Sequence, residues 1–375
     1  MTPLTDIVWR NLNNLFGWHT NRKIVVIESD DWGSIRMPSI DAYNYLIKHG
    51  YRVNEGFFER YDSLESSDDL EVLYEVLGSV KDSHNNPAVM TANSVMVNPD
   101  FDKIKRAHFQ TYHYEFFYDS YNKQNKTSNT MQLIQEGLKN GLFVPQFHGR
   151  EHFNIPMWMH DLQNGDKDAH FVFNLGMAGT FPKEELQNNN KYVNAYAGHS
   201  QEDEIFYRNS IREGLDIFKD IWGFSARSFK APCYTWSKKI EFDLNEKNIQ
   251  LIQGSIFQLE PHNPKEKKIL HYSGEKNKYG QIYNVRNCFF EPTSRLKRDW
   301  VSSCLNQINN AFFWKKPAII CSHRVNYVGK IDKTNRDKNI KELKKLLVGI
   351  KKKWPSVEFL SSDKLIETIV NKKSI

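Results

Sequence analysis

Cysteine is scarce and unpaired in this 375-residue chain: Cys233, Cys288, Cys304 and Cys321 form no C-x-x-C spacing and no short Cys/His cluster. That excludes a disulfide scaffold and a structural zinc knuckle, and leaves reduced, mostly buried thiols as the expectation. Long apolar runs are lacking too. The longest, Ile24 to Ile27 and Pro317 to Cys321, fall far short of the roughly 18 to 20 residues that cross a bilayer. Glycine (19) and proline (13) are too few for a collagen-like or low-complexity chain, and no linker or internal repeat divides the sequence. Residues 1–18 interrupt their apolar positions with Asp6, Arg10 and three Asn, so the continuous core of a secretory signal is missing. A cytoplasmic location is therefore expected.

What is present is an ordinary globular composition, 39% hydrophobic and 26% charged, which rules out large-scale disorder. The net charge of +6 is concentrated. Residues 333–353 carry nine Lys/Arg against Asp337 and Glu342, so the remainder sums to -1. Ile340, Leu343, Leu347 and Ile350 repeat at helical spacing through this stretch, which predicts an amphipathic helix with a basic outer face. Such a helix covers a core, and its outer face also suits peripheral contact with anionic lipid or a phosphate-bearing substrate. No nucleic-acid motif accompanies it, so no nucleic-acid partner is expected.

Short apolar runs alternate with helical patterns. Strands are predicted near 23–29, 88–97, 142–147, 226–230, 249–252, 282–290, 317–321 and 357–360, with helices near 40–49, 68–80, 129–140, 201–222, 237–246, 297–313 and 333–353, and from 363 on. Repeated β-then-α order with apolar strands predicts an α/β fold with a parallel sheet covered by helices, either a barrel or a doubly wound sheet. A (β/α) barrel takes about 250 residues. The surplus falls in polar, irregular insertions near 51–67, 101–128, 156–199 and 259–280 of a single domain, 1–375. The aromatic run Phe109, Tyr112, Tyr114, Phe116, Phe117, Tyr118 and Tyr121 reads as packing under a loop, with stacking on sugar rings as the alternative.

Parallel α/β folds place their active sites at the carboxyl ends of the strands. Asp30 and Asp31 end the first strand, His148 and His152 follow the third, Lys230 ends another and His323 follows the run 317–321. His148 and His152 are four apart, a spacing at which a helical turn offers both imidazoles to one ion. Random placement of 13 His gives roughly 0.4 such pairs, so the spacing needs company. Two His and an Asp are a common ligand set for catalytic zinc, and a neighbouring Asp can take a proton from water. A solvated turn or helix cap is the competing reading of the Asp pair, and a plain hydrogen-bonded core residue that of His323.

In order, these segments resemble the polysaccharide deacetylase superfamily, metal-dependent carbohydrate esterases. Ser29-Asp30-Asp31-Trp32-Gly33 resembles the family's Asp-Asp motif, and His148-Gly149-Arg150-Glu151-His152 its H-x-x-x-H. Lys230-Ala231-Pro232-Cys233-Tyr234 is similar to R-x-P-Y, Asp299-Trp300 to its Asp-Trp, and Ile320-Cys321-Ser322-His323 to its L-x-H. The resemblance implies a distorted (β/α) barrel in which Asp31, His148 and His152 hold a divalent ion, zinc above all. It implies Asp30 as general base, His323 as general acid, Asp299 as the group that orients His323, and the Cys233 N–H as an oxyanion donor. Trp32, Tyr234 and Trp300 are the implied substrate contacts, and the implied partner is an acetylated sugar or glycan precursor. Lys230 stands where the family has Arg, which turns a bidentate grip on Asp30 into a single-point charge. A YdjC-like carbohydrate deacetylase shares Asp-aromatic-Gly, here Asp31-Trp32-Gly33, and a catalytically silent glycan-binding barrel is the alternative from another class.

Overall fold

The computed structural model describes residues 11, 14–124, 129–180, 191–198, 200–262, 265–294 and 296–371. Most of residues 1–18 and parts of the 101–128, 156–199 and 259–280 insertions lie outside them. The central sheet contains β1 (Ile24–Trp32), β2 (Met90–Ser94), β3 (Phe143–Phe147), β4 (Ser228–Lys230), β5 (Leu251–Gly254), β6 (Ile282–Val285), β7 (Cys288–Phe289), β8 (Ala318–His323) and β9 (Glu358–Phe359). Their order is β6-β5-β4-β3-β2-β1-β8-β7, with β9 alongside the start of β1, and every pairing is parallel. Ile24, Val25, Val26 and Ile27 are buried on both faces, as strands covered by helices must be.

The two ends of this order are neighbours in sequence. β6 pairs with β5 and β7 with β8, yet only Arg286 and Asn287 separate them. One extended run therefore pairs with one edge through its first half and with the other through its second. The Arg286 N–H still bonds Gly254 while Asn287 N–H already bonds Ile319. The sheet is thus rolled into a distorted (β/α) barrel, and the expected choice between a barrel and an open doubly wound sheet falls to the barrel.

Helices pack around it for local reasons. Gln201–Trp222 starts at a capping box, Ser200 with Asp203, ends at Gly223 in the left-handed region, and buries Tyr207, Ile211, Leu215 and Phe218 against Phe147 and Phe229. Ser67–Gly78 begins at a second capping box, Ser66 with Asp69. The basic helix, Lys333–Lys353, buries Ile340, Leu343, Leu346, Leu347 and Ile350 and leaves most of its lysines outside. Among the described residues no helix is long and apolar enough to cross a membrane.

The insertions are more ordered than their polar sequences predict. Helices Phe101–Arg106, Ile155–Gln163 and Lys167–Phe173 share a small core of Ile104, Ile155, Trp158, Leu162 and Phe173. The predicted strand 88–97 is broken: Val97–Pro99 leaves the barrel and pairs antiparallel with Tyr114–Phe116. The aromatic run is packing, with Phe117 and Tyr121 in the main core and Phe109 and Tyr112 against the insertion core.

Candidate active site

The carboxyl end of β1 carries both carboxylates inward, against the usual alternation of a strand. The reason is a bulge: the register with β2 shifts between Ser29 and Trp32, and Asp31 adopts φ +77°. A bulge with a left-handed residue re-aims a side chain, so Asp30 and Asp31 face the same cleft. Across the strands, Asp30 lies level with His323 of β8.

His148 and His152 follow β3 in a loop, not the helical turn that their spacing suggests. Gly149 sits at φ +103°, where a Cβ would come within 2.8 Å of the Glu151 carbonyl and of Tyr196 Oη, so the turn admits glycine alone. The loop brings His152 Nε2 to 2.9 Å and His148 Nε2 to 3.3 Å from Asp31 Oδ1. One ligand atom from each of the three lies within 4.8 Å of the others. His148 Nδ1 donates to the Lys230 carbonyl at 2.7 Å, which fixes the ring and leaves Nε2 as the donor to an ion. Burial pushes the His148 imidazole down to about 4, so it is neutral at pH 7, the form that binds a metal. Burial opposes ionisation of Asp31, but the two His hold its carboxyl well below the ordinary range.

Asp30 is fully buried and heavily engaged. Arg286 grips it with two bonds of 2.7 Å, Asn93 donates to Oδ1 at 2.8 Å, and Lys230 Nζ lies 3.3 Å from Oδ2. These cations outweigh burial and keep Asp30 ionised. The bidentate grip that Lys230 cannot make is made from the seam of the barrel. Arg286 also donates from Nε to the buried Glu28 at 2.7 Å, and Glu28 accepts from Ser362 at the start of the last helix at 2.8 Å.

His323 Nε2 lies 3.7 Å from Asp30 Oδ2, and its Nδ1 donates to Glu291 Oε1 at 2.6 Å. Burial alone would lower its pKa; Glu291 overrides that and raises it to about 10. Here the expectation for Asp299 is corrected. Asp299 caps Trp300–Phe313, accepting from Ser302 N at 2.9 Å and Ser302 Oγ at 2.6 Å, and the group on His323 is Glu291. A helix start drew on its carboxylate as a cap, and the residue just past β7 supplies the imidazole's partner instead.

The aromatic expectations divide. Trp32 is buried in the main core, edge-on to Phe143, with its indole N–H on Ser29, and Trp300 is in the same core; neither lines the cleft. Tyr234 does reach the site: its ring lies 4.3 Å from Lys230 Nζ, and its hydroxyl accepts from Arg286 at 3.3 Å. Cys233 and Tyr234 sit at φ +52° and +59° in the short turn Pro232–Tyr234. Tyr234 and Thr235 N–H groups close that turn onto Ala231 and Pro232. The Cys233 thiol is pushed up by burial, which makes it a poor nucleophile. Glu291, Cys321 and His323 form a second group of candidate ligands, although Glu291 and His323 are already bonded to each other.

No family model and no curated protein matches the chain. Solved structures align along most of its length. A probable polysaccharide deacetylase of Pseudomonas aeruginosa PAO1 aligns at 7% identity and TM-score 0.47, over 95% of this chain and 93% of its own. The CE4 domain of a xylanase from the hindgut metagenome of Trinervitermes trinervoides aligns at 12% identity and TM-score 0.37, over 92% and 91%. A CE4 family pseudoenzyme of Bacillus anthracis aligns at 9% identity and TM-score 0.38, over 93% and 66%.

Proposed function

We propose that this chain is a metal-dependent hydrolase that removes an acetyl group, N- or O-linked, from a sugar or glycan precursor, within a single catalytic domain elaborated by its insertions. The observation that carries the reading is the convergence of three ligand atoms within 4.8 Å of each other with an acid/base pair, Asp30 and His323, 3.7 Å apart. The donor set fits a divalent ion such as zinc: a neutral imidazole with its second nitrogen tied down, a second imidazole, and an ionised carboxylate. Asp31, His148 and His152 would hold the ion, which would supply the Lewis acidity that activates water and an acyl carbonyl.

The chain's own residues do the rest. Asp30 accepts, at Oδ2 facing His323, the proton of the water that adds to the acyl carbon. The Cys233 N–H stabilises negative charge on the acyl oxygen. His323, with Nδ1 committed to Glu291, donates the proton on Nε2 to the departing amine or alcohol. Tyr234 and Lys230 form the wall beside Asp30.

The test joins metal content to acetate release. His148→Ala should lose stoichiometric metal and activity together. Asp30→Asn should keep the metal and lose roughly 10²- to 10⁴-fold in turnover. Wild-type metal content in His148→Ala refutes the ligand set, and metal loss in Asp30→Asn means the roles of Asp30 and Asp31 are exchanged. One observation favours a second reading, a glycan-binding barrel without turnover: Asp30 already accepts from Arg286 and Asn93. Metal-loaded wild-type protein that binds glycans and releases no acetate would establish it.

A further inference from the structure

Beside the ligand His152 the cleft runs into a cavity of about 40 Å³ lined by Ser34, Arg36, Asn98, His152 and Val193. The loop that carries Arg36 is held firmly. Gly33 N–H donates to Glu65 at 3.0 Å, Ile35 N–H to Asn98 Oδ1 at 2.9 Å, and Asn98 Nδ2 returns to the Gly33 carbonyl at 2.8 Å. The Arg36 guanidinium lies 4.9 Å from the centre of the Phe58 ring, and Phe58 stands edge-on to His323 at 5.1 Å. Arg36 therefore shares a wall with the candidate acid. Its charge is felt by Asp31 and Cys233 as well as by Glu59 and Asp62.

The other cations near the cleft are already committed. Arg286 and Lys230 face Asp30. Arg324 is buried and takes both oxygens of Asp62 at 3.0 Å and Glu65 at 2.9 Å. Arg36 donates one long hydrogen bond to Glu59 at 3.5 Å, lies 3.4 Å from Asp62, and keeps 13% of its side-chain surface accessible. A guanidinium has five N–H donors in a planar fork matched to carboxylate and phosphate oxygens. One stacked on an aromatic ring, loosely paired, and opening on a cavity beside a catalytic centre is built to take an anion.

We propose that Arg36 makes the cavity beside His152 a binding site for an anionic substituent of the substrate, a carboxylate or a phosphate, so that the acetylated sugar taken by the site is an acidic one. The substrate class rests on the deacetylase reading; the anion site does not. The experiment is calorimetric titration of the zinc-loaded protein with N-acetylglucosamine, its 6-phosphate and the corresponding uronic acid, with acetate release measured in parallel. A charged sugar should bind roughly 10- to 100-fold more tightly than the neutral one, the increment of a charge-assisted hydrogen bond, and the two charged arms tell phosphate from carboxylate. Arg36→Gln should abolish that preference, while Arg36→Lys, which keeps the charge and guards against misfolding, should retain part of it. Equal affinity of all three sugars for the wild type overturns the proposal, as does an undiminished preference in Arg36→Gln. Arg36-dependent binding with no acetate from any of the three leaves the anion site standing and removes N-deacetylation of these sugars from the deacetylase reading. Acetate from all three with no preference for charge does the reverse.

Discussion

Glu291 and His323 are bound more tightly to each other than either is to anything else in the cleft, and the pair gives stability a pH signature. In the folded protein His323 holds its proton up to about 10; in the unfolded chain an imidazole titrates near 6.5. The folded state thus binds the proton more strongly, so the pair's contribution is complete below pH 6.5 and fades as the pH rises towards 10. Urea unfolding of the metal-free protein should show a wild-type advantage over Glu291→Gln at pH 6 that shrinks steadily by pH 10. A gap that stays constant with pH would mean that Glu291 acts by packing alone. At this scale the carboxylates and imidazoles of the cleft are legible because each directly ends an apolar strand run. Glu291 obeys the same rule, directly after the run 282–290, and that rule was the signal that could have found it. Arg286 offered no such signal, since a charged residue inside a strand run reads as its solvent face until the barrel closes around it.

Elements decide how precisely those side chains are held. The long helix Gln201–Trp222 lies so close to β3 and the His loop that a Cβ on Gly214 would fall 2.8 Å from Phe147 Cζ and 2.9 Å from Arg150 Cβ. Helix propensity on its own favours Ala over Gly by about 1 kcal/mol. Here the close approach wins: Gly214→Ala should push the loop 148–152 away from Asp31 and weaken zinc binding at least about tenfold in a chelator competition, a loss of 1.4 kcal/mol. Unchanged affinity would show that the helix can shift without moving the loop. A second junction ties the basic helix to its neighbour, where buried Arg336 meets Asp69 at 2.7 Å while Asp69 also closes the capping box of Ser67–Gly78. Asp69→Ala removes a cap and one of the two carboxylates on Arg336, which keeps Asp337 at 2.9 Å. Its unfolding free energy should fall by about 2 kcal/mol, measured by urea denaturation. A fall of less than about 0.5 kcal/mol would show that Asp337 alone satisfies Arg336.

For the whole molecule, an ion at the site would join Asp31 on β1 to His148, 117 positions along the chain. Ligands that converge only in the folded state couple binding to stability. Zinc at a hundredfold excess over its dissociation constant should add about 2.7 kcal/mol and raise the melting temperature by roughly 3 °C. EDTA should reverse the rise, and His148→Ala should not show it; an equal rise in that variant would place the ion elsewhere. What sequence alone determined here is local in origin. Element types and most boundaries follow from apolar periodicity and capping residues, and Asp30, Asp31, His148, His152 and His323 stand out as polar groups ending apolar runs. Tertiary structure decided whatever depends on groups far apart in the chain. The closed barrel needed one run, 282–289, to pair with both sheet edges, which no pattern within that run encodes. The same closure delivered Arg286 to Asp30 and Glu291 to His323. It also sent Asp299 to a helix start and Trp32 and Trp300 into the core, because capping and burial were satisfied nearer at hand than the cleft.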